Sequence, residues 1–234
     1  FVVPAPLPEI TFVPDSNTDW WLNPSVDNNM MFSITDMTGI EAGGVVAELY
    51  TVPGDYKILG PVVVTPNGEM EFNLPVSPEV ITNNIEGLQL VVTVTNEWDY
   101  SQDFTRAYWL DNSAPTVTFI TPEINQEFME GTEIAVEVNF EDILNPVVAT
   151  RKTVKHNSVS RSIGSGINQA SLIIFNEAND IVNSKNGVNG ETSIELVATY
   201  NNPGIYRAEL TVSDIVGNQS VVSRHYGRID PEQR

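Results

Sequence analysis

Residues Trp109–Pro122 read WLDNSAPTVTFITP, and this stretch decides how the chain is divided. It begins as the tail of an alternating apolar run and breaks at Asp111-Asn112-Ser113. After Ala114-Pro115 it restarts as a second alternating run through Val117 and Phe119. Proline lacks the N–H that a paired strand needs and holds its predecessor extended. A turn cluster followed by proline therefore ends one unit and opens another. The same opening occurs once earlier, where Pro8–Pro14 (PEITFVP) matches Pro115–Pro122 with one residue's slip. A partial echo, Arg228-Ile229-Asp230-Pro231, closes the chain. The pattern is that of a tandem array of β modules.

Outward from the joint, apolar residues follow a period of two, and no segment sustains a period of 3.6. Turn clusters recur about every 8–12 residues, the spacing of an antiparallel sandwich. In the first unit strands are predicted at 10–13, 31–35, 45–52, 56–64, 69–74, 88–95 and 103–110. In the second they are predicted at 117–120, 133–140, 170–176, 192–199, 204–212 and 220–228. Asp15–Asn29 reads as an irregular crossing plugged by Trp20-Trp21-Leu22. The expected fold is all-β, two sandwiches in line: a proline-rich linker over 1–8, a first unit over 9–112, and a second over 113–230. Residues 231–234 then read as the start of a further linker. Phe1 in first place and an ending in mid-linker suggest a piece of a longer exported protein.

The two units align internally. Thr93–Asn96 matches Thr211–Asp214, and Phe104–Tyr108 matches Val222–Tyr226, both at a separation of 118. Phe32–Asp36 matches Val138–Asp142 at 106, and between Asp142 and Gly166 the second unit carries about twenty extra residues. Thr211-Val212-Ser213-Asp214 followed by Gly217-Asn218 resembles the "T-V-x-D-x-x-G-N" signature of bacterial immunoglobulin-like repeats. Leu110–Pro115 resembles the "D-N-x-A-P" joint of the same arrays, and loosely that of cadherins. The resemblance implies two tandem immunoglobulin-like β-sandwiches, of the kind that form stalks of surface adhesins or spacers of secreted enzymes. The first unit departs from the signature, with Asn96-Glu97-Trp98-Asp99-Tyr100 in its place.

Composition narrows the partners. The net charge is -20, from 31 acids and 11 bases. Such a chain is repelled by nucleic acid and anionic lipid. The charge serves either solubility in a salty or secreted setting or the binding of cations. With no cysteine, thiol chemistry and disulfides are excluded, which leans toward a bacterial source. No apolar run reaches the roughly 18–20 residues of a membrane-spanning helix. The expected location is extracellular or at the cell surface. The expected partners are neighbouring domains and a host-surface, matrix or carbohydrate ligand.

Catalytic candidates are few. His156 and His225 fall in different settings, and G-x-S-x-G, H-E-x-x-H, the phosphate-binding loop and the EF-hand loop are all missing. The chain reads as non-enzymatic. In an up-and-down sandwich the end of the second strand and the turn before the last strand both return to the joint. That gathers Asp111, Asn112, Glu141, Asp142 and Asp214, an oxygen-rich set suited to Ca²⁺. The competing reading is that these residues simply form turns. The insert over 143–165 holds Arg151, Lys152, Lys155 and Arg161, four of the 11 bases. It is either a recognition loop at a sandwich end or a hairpin packed on the first unit's acids. Trp20-Trp21 is either a core plug or a sugar-stacking platform.

Overall fold

Each half is built on a strand of strict alternation. The strand Gly87–Asn96 (β7) buries Leu88, Leu90, Val92 and Val94 completely. The strand Gly204–Asp214 (β15) buries Tyr206, Ala208, Leu210 and Val212 in the same way. Alternate side chains of a strand point to opposite faces, so each strand lays one continuous apolar row into its core. A computed structural model describes residues 9–14, 20–35, 37–52, 56–67, 70–81, 87–143, 164–187, 189–200 and 202–229. The chain divides into two compact units between Asn112 and Ser113.

The first unit holds β1 (Ile10–Val13), β2 (Trp21–Leu22), β3 (Asn28–Ile34), β4 (Ile40–Val52), β5 (Lys57–Val63), β6 (Glu71–Val76), β7 and β8 (Ser101–Leu110). They form a three-stranded sheet, β1-β3-β6, and a five-stranded sheet, β2-β8-β7-β4-β5. The second unit repeats this plan with β9 (Thr116–Thr121), β10 (Glu127–Met129), β11 (Glu133–Glu141), β12 (Ile167–Phe175), β13 (Ile181–Gly187), β14 (Ser193–Thr199), β15 and β16 (Gln219–Ile229). Its sheets run β14-β11-β9 and β10-β16-β15-β12-β13. Both units are immunoglobulin-like sandwiches, and the fold is all-β. The order corrects the up-and-down expectation. The chain of the first unit passes between sheets after β1, β2, β3, β5 and β6, in the Greek-key manner.

Three strands fall outside the predicted set, each for a physical reason. The strands β2 and β10 are short segments paired parallel with the last strand of their unit, at Trp21↔Trp109 and Glu127↔Gly227. Two or three residues leave no period to read. The strand β13, IVNSKNG, is an edge strand, mostly exposed and, among the described residues, paired in a ladder with β12 alone. It buries no face, so no alternation is imposed on it.

Each unit has its own core. The first centres on stacked Phe32 and Phe72, with ring centroids 5.1 Å apart. The second centres on the file Tyr200–Tyr206–Tyr226, at 4.8 and 5.8 Å. The Tyr206 hydroxyl donates to the Asn202 carbonyl at 2.7 Å, the tyrosine corner of immunoglobulin-like domains. No helix of the described residues is long and apolar enough to cross a membrane.

Two expectations follow. A polypeptide ending at Asn112 should give a β-type circular dichroism spectrum and unfold cooperatively in urea, since its apolar row is complete without the second unit. An unfolded first unit would mean the two are one folding body. Burial also raises the Tyr108 hydroxyl from 10.0 to about 12, against the lowering influence of Arg106. The folded state thus holds a proton that the unfolded chain releases near pH 10. The stabilisation is complete below pH 10 and is lost as pH rises toward 12. Urea midpoints should fall over that window in the unaltered chain and fall less in Tyr108→Phe.

Candidate metal centre

The β15–β16 hairpin carries the site. Asp214 ends β15 and is fully buried. Its Oδ1 accepts the Asn218 N–H at 2.8 Å and its Oδ2 accepts the Asn218 side-chain amide at 2.7 Å. Its own N–H donates to the Asn218 carbonyl, and Gly217 takes the left-handed conformation at φ 91°. This is a three-residue hairpin loop whose third residue must adopt positive φ, which glycine does without strain. The turn-forming reading of Asp214 is therefore met in full.

Asp142 directly follows β11. Its Oδ2 accepts the Gly166 N–H at 2.6 Å, and the Ser165 hydroxyl lies at 3.5 Å. A Cβ on Gly164 would overlap the Asp142 carboxylate, so the loop passes this close only because residue 164 is glycine. The Gly166 carbonyl in turn accepts the Ile215 N–H at 2.8 Å, and Ile167 pairs with Asp214 in the sheet. These links bring the Asp142 and Asp214 carboxylates together, with ligand oxygens within 4.8 Å. Two carboxylates at this range repel unless a cation or a proton stands between them.

Glu141 is not part of this pair. Glu141 is the neighbour of Asp142 along an extended strand and so faces the opposite way. It is exposed, in register with Thr116, and lines a groove with Thr118, Asn139, Thr192 and Ser193. Asp111 follows β8 in the first unit, is buried, and donates its backbone N–H to the Leu22 carbonyl at 3.0 Å. Asn112, after it, is exposed. Arg151, Lys152, Lys155 and Arg161 lie outside the described residues, as does most of the insert.

Sequence reading missed that the first unit makes the same turn with different residues. Asn96 Oδ1 accepts the N–H groups of Trp98 and Tyr100, both at 3.0 Å, and Asp99 holds φ 60°. Asn96 and Asp99 stand 118 residues before Asp214 and Gly217. The clue was available: asparagine and aspartate are the non-glycine residues that best tolerate left-handed backbone. Trp20 is half-buried against the first core. One face of its ring carries the Arg106 guanidinium at 3.4 Å, and Tyr108 meets it edge-on at 5.7 Å. That favours the plug over an open sugar platform. Trp98 and Tyr100, in the β7–β8 turn, are 43% and 60% exposed.

No family model and no curated protein matches the chain. Among solved structures it is similar to the fibronectin(III)-like modules of Clostridium thermocellum CbhA. The identity is 12%, with 97% of each chain covered and a TM-score of 0.45. A Ca²⁺-stabilized adhesin of an Antarctic ice-binding bacterium is 14% identical, with a TM-score of 0.43. There 97% of this chain spans 50% of that one. Titin domains I67–I69 give 12% identity, 97% and 66% coverage, and a TM-score of 0.44. Identity at this level speaks to neither ligand nor activity.

Because Asn96 closes the equivalent turn uncharged, Asp214→Asn should keep the hairpin and leave the metal-free melting temperature unchanged or higher. Asp214→Ala removes the acceptors and should cost about 1–3 kcal/mol in urea titration. Equal losses in both variants would mean the charge itself is structural.

Proposed function

We propose that this chain is a non-enzymatic pair of structural or adhesive modules from a longer exported bacterial protein, and that its second unit is stiffened by Ca²⁺. The observation that carries the reading is the convergence of Asp142 and Asp214. Turn closure needs only an acceptor, which Asn96 supplies uncharged in the first unit. A second negative charge beside Asp142 is therefore surplus to folding. Carboxylates with nearby backbone and amide oxygens are the donor set that a hard divalent cation takes. Asp111, from the first unit, is the sequence's remaining candidate for a further carboxylate ligand. The described groove on the outer β14-β11-β9 face holds one carboxylate, Glu141, among hydroxyl and amide side chains, which favours binding over acid–base chemistry.

A second reading, an accessory carbohydrate-binding or spacer module of a secreted polysaccharide-active enzyme, draws on the exposed Trp98 and Tyr100. It places the ligand on the first unit and leaves the cation reading untouched.

Ca²⁺ at a hundredfold excess over its Kd should stabilise the folded chain by about 2.7 kcal/mol. The Kd of extracellular modules falls around 10⁻⁴–10⁻³ M. Millimolar Ca²⁺ should therefore raise the melting temperature by several degrees beyond NaCl of equal ionic strength, the control a chain at -20 requires. Asp142→Asn and Asp214→Asn should each remove most of the excess, and Asp111→Asn asks whether that residue takes part. Identical curves in Ca²⁺ and NaCl would end the cation reading.

A further inference from the structure

Arg228, the second-last residue of β16, is 2% exposed, yet among the described residues Nε, Nη1 and Nη2 all lack a hydrogen-bond partner. The residue 118 positions earlier is Leu110, also buried. One position in the shared frame thus takes a leucine in the first unit and a guanidinium in the second. A guanidinium cannot shed its proton, and its donors are planar and forked. Leaving such a group buried and unpaired is strongly destabilising.

Its surroundings are uneven. Arg228 faces the same side as Tyr226, two residues back along the strand. Phe128 stands beside it in parallel register on β10, and Gly204 opposite it on β15. The Tyr206 hydroxyl feels both burial, which raises its pKa, and the Arg228 charge, which lowers it. Gly204 puts no side chain next to the guanidinium. Among the described residues, the heavy atom within 4 Å of a Cβ built there is Glu177 Oε2, at 3.7 Å. At the position paired with Arg228 the strand thus carries no side chain, and a carboxylate stands at its edge.

We propose that Arg228 is the floor of a carboxylate-binding socket at the end of the second unit away from Asp214, entered past Gly204. The forked donors suit the two oxygens of a carboxylate. That carboxylate belongs either to the chain itself, from Glu177, or to a free organic acid.

Melting of the full chain in sodium acetate against sodium chloride at equal ionic strength distinguishes the sources. If the occupant is a free acid, acetate raises the melting temperature by roughly 5 °C. Arg228→Leu, which installs the first unit's residue, then abolishes the difference. If the occupant is the chain's own, acetate adds nothing to the unaltered protein. Glu177→Gln then lowers melting by a similar amount, acetate restores it, and the substitution is silent beside Arg228→Leu. Should Arg228→Leu fail to fold, Arg228→Met takes its place. The Arg228 Nε–H resonance gives a further readout, moving with acetate or with Glu177→Gln. A resonance that stays fixed throughout, with melting shifts that do not depend on residue 228, overturns the socket.

Discussion

The constraint on which both units depend is that the two sheets are held together by alternating apolar rows. The chain has no cysteine, so no disulfide bridges the sheets as in many immunoglobulin domains. Cohesion falls to side chains such as Leu88, Leu90, Val92 and Val94, each worth about 1.5–3 kcal/mol when fully buried. Both rows lie on interior strands of five-stranded sheets, β7 between β8 and β4, and β15 between β16 and β12. A slip of one residue would turn the whole row to solvent. Register is therefore what the sequence must protect, and the hairpin turns protect it.

One turn does this three times. At Asn96, Asn176 and Asp214 a side-chain oxygen accepts the N–H four residues on. At Asp99, Asn179 and Gly217, three residues on, the backbone is left-handed. The "T-V-x-D-x-x-G-N" string is one spelling of this device: the acid accepts, the glycine turns, and the asparagine bonds back. Asn96–Tyr100 is another spelling, invisible to a motif search and equivalent in hydrogen bonding. The motif therefore speaks for turn geometry. What it leaves over is the negative charge on Asp214, which the geometry does not need.

The sequence disclosed whatever repeats with a period. The break at Asp111–Pro115, the long strands and the equivalence at 118 residues were all readable, because buried rows impose period two. The edge strand β13 was not, since pairing without burial leaves no trace in residue type, and neither were β2 and β10, whose two or three residues are too few to show a period. The site was half readable. The pairing of Asp142 with Asp214 follows from β11 and the β15–β16 turn ending at the same pole of the sandwich. The expectation for Glu141 failed to allow for alternation, which sends neighbouring strand residues to opposite faces. The glycine at 164 that lets the chain pass against Asp142 could not be chosen from among 15 by sequence alone.

Comparing the two copies separates what the fold requires from what has been added to it. Where the first unit has Asn96, Leu88 and Leu110, the second has Asp214, Tyr206 and Arg228, all of them buried. The first unit closes its turn and fills its core with neutral residues, so neither the carboxylate nor the guanidinium is a condition of this architecture. Tyr206 brings its own compensation in the Asn202 carbonyl. The two charges do not compensate each other, because they stand near opposite ends of the hairpin formed by β15 and β16. Burying either costs several kcal/mol unless a counter-charge meets it. Each pole of the second unit thus carries a buried charge that the shared frame, as Asn96 and Leu110 show in the first unit, does not itself call for.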